Sequence, residues 1–328
     1  LTIVNAALGA GVLAYPYAFM SAGQLVGTLV SIGMGVLSCV ALFSIMRAMA
    51  TAEAESPMPI TNFGDLVRFG LGERVAVTIE GLIVIYAFGA CISYLILLGD
   101  VLTPVVQKMF TTMSKNVVRN LVVCACAVVC WAICLLRRIS ALKYSAAVAV
   151  LAVLFTVFML IYDAFTDPCK EGDCEDLQQD DHYYCGWRQG QPGISLWPQG
   201  FKGFLRSLPL ITFALQCHIQ TAMVYPEMPE RLRKPRGRNL VSIGAVVLVM
   251  VLYIPTGLSG YARFGLATQA DILKNFNIKD GMADVSRACV AITALCCFPM
   301  QHFPARAAMY GALMRRRASQ LGASMTTP

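Results

Sequence analysis

The chain has 328 residues, 57% of them hydrophobic and only 14% charged, against about 25% charged in ordinary soluble domains. Its mean hydropathy of +0.63 and its recurrent long apolar stretches exclude a soluble protein with one large core and indicate a polytopic, all-α membrane protein in a lipid bilayer. The net charge of +7 then bears on membrane topology, and nucleic acid is not an expected partner.

A window of about 20 residues marks eight spans, near 1–21, 24–48, 75–101, 117–136, 141–163, 201–225, 240–262 and 285–312. The first contains Gly9, Gly11 and Pro16, all of which weaken a helix. In hydrocarbon an interrupted helix persists only where it is buried in protein or lines a polar cavity, because each unpaired backbone group costs several kcal/mol. Such a break is how secondary transporters expose bare backbone to a solute. The plainer alternative is a kinked helix packing closely through its small residues.

Between the second and third spans the chain is polar, and residues 60–73 have the makings of a short interfacial helix. The third span carries Glu80 and Asp100 at opposite ends, and Glu80 is expected to pair with a base such as Arg74. Basic residues crowd the loops after spans two, four, six and eight, most densely at Arg231–Arg238 and Arg315–Arg317, so these loops are expected on the cytoplasmic side. The opposite side receives the acidic loop 164–200 with Cys169, Cys174 and Cys185. One disulfide among these three is expected, with the pairing open, and a zinc site with His182 is the sharper alternative. The other ten of the 13 cysteines lie in apolar spans, where a free thiol behaves as a small hydrophobe.

The sixth span places Thr212, Gln216, His218 and Gln220 at membrane depth. Polar groups there should face the bundle or a cavity. Interruptions in the first and sixth spans, the opening helices of two five-helix repeats, point to a transport site. No nucleophile–base pair or metal cluster of recognised spacing is present, so an enzyme is not expected, nor is a cofactor. A channel lacks its ring of carbonyls or charges. The chain starts inside an apolar span with Leu1 and stops soon after the eighth, so both ends read as cut, and 1–328 reads as a single transmembrane domain.

Five segments in sequence carry a resemblance: Val4–Leu13, Tyr86–Asp100, Phe213–His218, Thr256–Gly265, and Arg287 with Phe298–Arg306. Together they resemble the amino acid/auxin permease family, above all its sodium-coupled neutral amino acid transporter branch. The resemblance implies a LeuT-like inverted-repeat fold of five plus five helices, here truncated to about eight, with helices 1 and 6 broken and the second repeat incomplete. It implies alternating-access transport of neutral amino acids, coupled to sodium or protons, in a plasma membrane or a lysosome- or vacuole-type membrane. A membrane amino-acid sensor signalling through its cytoplasmic face is the alternative. The truncated chain itself is expected to be inactive in transport.

Under that resemblance the substrate carboxylate meets the backbone at Gly9, Ala10 and Gly11. The ammonium meets carbonyls around Thr212, Phe213 and Ala214, and Ser93 and Tyr94 are candidates for side-chain contacts. Sodium falls to Asn5 and to a hydroxyl of the eighth span. That position reads Cys297 here, a poor sodium ligand, so Thr293 one turn earlier and proton coupling through His218 become the alternatives.

Overall fold

A computed structural model describes residues 2–9, 11–56, 59–135, 143–166, 194–277 and 280–325. Ala10, His182 and the three loop cysteines Cys169, Cys174 and Cys185 lie outside the described residues.

Twelve α-helices occupy the described chain: α1 (Thr2–Ala7), α2 (Gly11–Ala22), α3 (Gln24–Glu55), α4 (Phe63–Leu71), α5 (Glu73–Gln107), α6 (Lys115–Cys134), α7 (Lys143–Thr166), α8 (Gly200–Ala214), α9 (His218–Val224), α10 (Glu230–Arg233), α11 (Pro235–Phe264) and α12 (Gly281–Met325). Six of them, α3, α5, α6, α7, α11 and α12, are long and apolar enough to cross a membrane. The pairs α1/α2 and α8/α9 are the first and sixth expected spans; the first is interrupted at its glycines, the second at Leu215–Cys217, which holds neither glycine nor proline. The interfacial helix expected in 60–73 is α4, capped by the Asn62 side chain, which accepts from the Asp65 N–H.

The helices pack with small and polar groups inward and large apolar groups outward, as a bilayer demands. On α3 the buried row is Gly27, Ser31, Gly35, Ser38, Leu42, Met46 and Met49, while Leu29, Val36, Leu37 and Val40 are exposed on the other face. On α6 every fourth residue from Val118 to Cys134 is buried, three of the five being cysteines. Both faces are apolar, so the rows are set by side-chain size and not by hydropathy. The spacing of three or four residues puts each row on one helix face.

At the centre lies α2, packed between α8 and α11. Its Tyr15 and Phe19 are wholly buried with Tyr253 of α11, and the Tyr15 and Tyr253 ring centroids are 4.9 Å apart. Glycines make this closeness possible: a Cβ built on Gly257 would lie 2.7 Å from the Phe19 ring, and one on Gly260 would lie 2.5 Å from Pro16 Cγ. Glycine acts here by subtraction, letting two helices approach to backbone distance.

Candidate functional site

Two helix breaks meet in the middle of this core. In the first, α1 closes with Leu8 N–H donating to the Val4 carbonyl at 2.8 Å and Gly9 N–H to the Ala7 carbonyl at 2.8 Å, and α2 restarts at Gly11. The leading N–H groups of α2 have no earlier helical carbonyl to bond, which makes them anion-seeking donors. The Tyr253 hydroxyl also donates to the Ala7 carbonyl, at 2.7 Å. In the second break, Leu215 and Gln216 N–H donate to the Thr212 and Phe213 carbonyls at 3.2 Å each, and α9 begins at His218.

The breaks touch at two points. A Cβ on Gly11 would lie 2.7 Å from Ala214 Cβ and 2.8 Å from Ala214 Cα, so the two chains are in contact at backbone level. A Cβ on Gly9 would lie 1.9 Å from the Tyr94 hydroxyl, which therefore rests on the glycine. Tyr94 also interacts with the side chains of Gln301 and Cys297. Gln301 Oε1 in turn accepts from Gln220 Nε2 at 2.8 Å, and Gln216 Oε1 accepts from the Tyr86 hydroxyl. Gly9, Gly11, Ala214 and Tyr94 are thus brought together.

Thr212 and Phe213 take part through their backbones alone. Their side chains are exposed on the far face of α8, and the Thr212 hydroxyl donates to the Leu208 carbonyl at 2.8 Å. Ser93 is exposed as well and donates to the Gly89 carbonyl at 3.0 Å, on the face of α5 opposite Tyr94.

The ion-site candidates separate in the same way. Asn5 is fully buried, and three oxygens converge on the Cys297 Sγ: the Asn5 carbonyl at 3.1 Å, Asn5 Oδ1 at 3.3 Å and the Leu8 carbonyl at 3.4 Å. A thiol has one proton to give, so at most one of these contacts is a hydrogen bond at a time. Asn5 Nδ2 is buried without a hydrogen-bond partner among the described residues. The three oxygens are hard donors suited to a small cation, whereas the sulfur among them is soft. Thr293 turns its hydroxyl to the Cys289 carbonyl (3.0 Å) and the Ala149 carbonyl of α7 (3.4 Å), away from Asn5. The His218 Nε2 lies 3.3 Å from both the hydroxyl and the carbonyl of Ser38 on α3.

Two larger cavities flank the breaks from opposite ends. One, of about 450 Å³, is lined by Thr2, Ile3 and Val4 of α1 with Met228 and Leu240; the other, of about 610 Å³, lies among the ends of α5, α6 and α12. Neither is lined by Gly9, Gly11, Tyr94 or Ala214. Gly9, Gly11, Tyr94 and Ala214 are all buried between them.

Glu80 corrects one expectation. Its partners are Arg68 of α4, at 2.8 Å, and Arg315 of α12, whereas Arg74 is exposed. Tyr253 and Gln301 were not singled out from sequence; each is a polar group at membrane depth, which is the signal that marks them. Tyr253→Phe should lower stability by about 1 kcal/mol, because the Ala7 carbonyl keeps its Gly9 partner. A thermal-unfolding shift well above that would assign the hydroxyl a larger role.

A family model described as "Transmembrane amino acid transporter protein" matches residues 1–327. Among curated relatives, sodium-coupled neutral amino acid transporter 7 of Danio rerio is 24% identical over 330 residues, covering 97% of this chain and 65% of that protein. The Homo sapiens protein of that name is 26% identical over 324 residues, covering 95% and 64%. Vacuolar amino acid transporter 5 of Schizosaccharomyces pombe is 22% identical over 315 residues, covering 96% and 69%. The chain spans just under two thirds of the length of the first of these, 65%.

Proposed function

This chain belongs to the transmembrane amino acid transporter family, and on that premise we propose that it serves secondary active transport of neutral amino acids by alternating access. The observation that carries the reading is the meeting of two helix breaks, at Gly9 and Gly11 and at Leu215–Cys217, in a buried core between two cavities at opposite ends. A zwitterion needs donors for its carboxylate and acceptors for its ammonium within a few ångströms. The start of α2 offers the first and the carbonyl end of α8 the second, each favoured by its helix dipole. In this reading the fold is the five-plus-five inverted repeat, with α1/α2 and α8/α9 as corresponding helices. The buried breaks represent an occluded state, and substrate entry requires Tyr94 to move off Gly9.

The coupling ion is sodium or a proton, and the Asn5–Leu8 oxygens facing Cys297 are the place where the two part company. Sodium at these oxygens would have to displace or accept a sulfur neighbour, which favours weak sodium dependence. The test is uptake of labelled glutamine and alanine by full-length protein in liposomes, with sodium and pH gradients imposed separately. No accumulation under either gradient would overturn transport. Cys297→Thr should raise sodium dependence at least several-fold, and an unchanged sodium response would remove this centre from coupling.

A further inference from the structure

The cavity of about 610 Å³ at the end away from the basic loops has a lining the transport reading does not use. Lys108, Lys115, Arg119, Lys274 and Arg287 all face it. Asp100 is shared by Arg119 at 2.9 Å and Lys274 at 2.7 Å. Asp284 is likewise shared by Lys108 and by Arg287, the latter at 2.8 Å. Four cations therefore divide two carboxylates, and Lys115 has no ion-pair partner among the described residues.

The hydrogen-bond inventory is equally lopsided. Arg287 spends three of its five N–H groups on Asp284 and on the Leu273 and Phe276 carbonyls. Arg119, Lys274 and Lys108 each make one such bond, which leaves N–H groups over. The third acid in the wall, Asp271, has its Oδ1 engaged by the Leu273 N–H, and burial pushes its carboxyl above the usual range. Among the described residues donors and positive charge are in surplus, and one wall acceptor, the buried Gln107 Oε1, has no partner among them. Val101, Pro104, Leu273 and Phe276 add an apolar floor, so the complement is an organic anion and not a bare inorganic one.

We propose that this vestibule binds a small organic dianion, a dicarboxylate with a short apolar backbone, at a site separate from the helix breaks. Among the described residues five bases meet three acids, Asp100, Asp271 and Asp284, a balance that suits a divalent anion, and the volume falls in the range of small-molecule sites. Binding is electrostatic at a partly open mouth, so it weakens as salt rises.

The probe is succinate, which lacks an α-ammonium and so does not satisfy the helix-break site. Calorimetric titration of full-length protein in nanodiscs should show saturable succinate binding that glutamine does not compete away. Lys115→Gln with Lys274→Gln should weaken it at least tenfold, with Asp100 still held by Arg119. Should that pair misfold, Lys115→Glu alone, at an exposed unpaired position, should weaken it several-fold. No binding beyond that of chloride at equal ionic strength, or binding unchanged in a folded variant, would overturn the proposal; neither result touches the transport reading.

Discussion

Gly11→Ala is expected to cut amino acid uptake more than tenfold and to lower stability by about 1–3 kcal/mol, the range for overpacking a filled core. The added Cβ would come within 2.7 Å of Ala214 Cβ and 2.8 Å of its Cα, and neither atom can swing aside as a side-chain tip could. One of the two half-helices must retreat, which dismantles the meeting of the breaks. Gly11→Val is harsher and cannot separate lost binding from lost folding. The informative comparison is a cycle with Ala214→Gly, which removes the Cβ–Cβ clash but not the Cβ–Cα one. Partial rescue of thermal stability in the double variant is the expected result. Gly33 and Gly244 provide controls, since a Cβ at either meets nothing within 4 Å. Alanine there should be neutral or gain up to about 1 kcal/mol in helix propensity. If Gly11→Ala behaved like Gly33→Ala in uptake and unfolding, the backbone contact would have no functional weight.

Glu80→Gln carries the second large effect, a loss of about 2–4 kcal/mol with α4 and the Arg315 end of α12 loosened. Glu80 is 5% exposed and bridges Arg68 to Arg315 across three helices. Removing one partner of a buried ion pair typically costs 3–5 kcal/mol. The figure is reduced here because the arginine side chains are 22% and 30% exposed and both retain Glu73, at 2.5 and 3.3 Å. Glu73 is 54% exposed, so Glu73→Gln should cost under about 1 kcal/mol. Hydrogen exchange should rise in α4 and near Arg315 for the Glu80 variant only. Equal effects from the two substitutions would show that burial does not matter in this cluster.

The spans and the first break were legible in sequence because hydropathy and helix-breaking residues act locally, whereas the second break, Leu215–Cys217, lies beyond Pro209 and has no glycine or proline of its own. The facing of single residues follows from helix periodicity once one member of each buried row is known. Ser207, Ile211 and Ala214 are buried on one face of α8, which turns Thr212 outward. Ile83, Ala87, Ala90, Tyr94 and Leu98 form the corresponding row on α5, which turns Ser93 outward. The partners of Glu80 were not legible. Arg315 is 235 residues away and Arg68 sits on a short surface helix, so only packing pairs them, whereas Arg74 was simply the near base in the chain. Asn5 and Cys297 were linked by resemblance alone, and the structure brings their atoms to 3.1–3.3 Å.

The glycine contacts of α2 give the first span two halves of different stiffness. The α2 half is seated against Gly257 and Gly260 of α11 and against Ala214 of α8 at distances that leave no room for sliding. The α1 half is tied by contacts that can lengthen gradually, among them the Tyr253 hydroxyl on the Ala7 carbonyl and the thiol beside Asn5. Thermal bending of the span therefore concentrates at Leu8–Gly9, and α1 pivots there while α2 stays with its neighbours. The passage beside α1 is accordingly the compliant one, and a bulky spin label on α1 should report a broader distance distribution to α11 than one on α2.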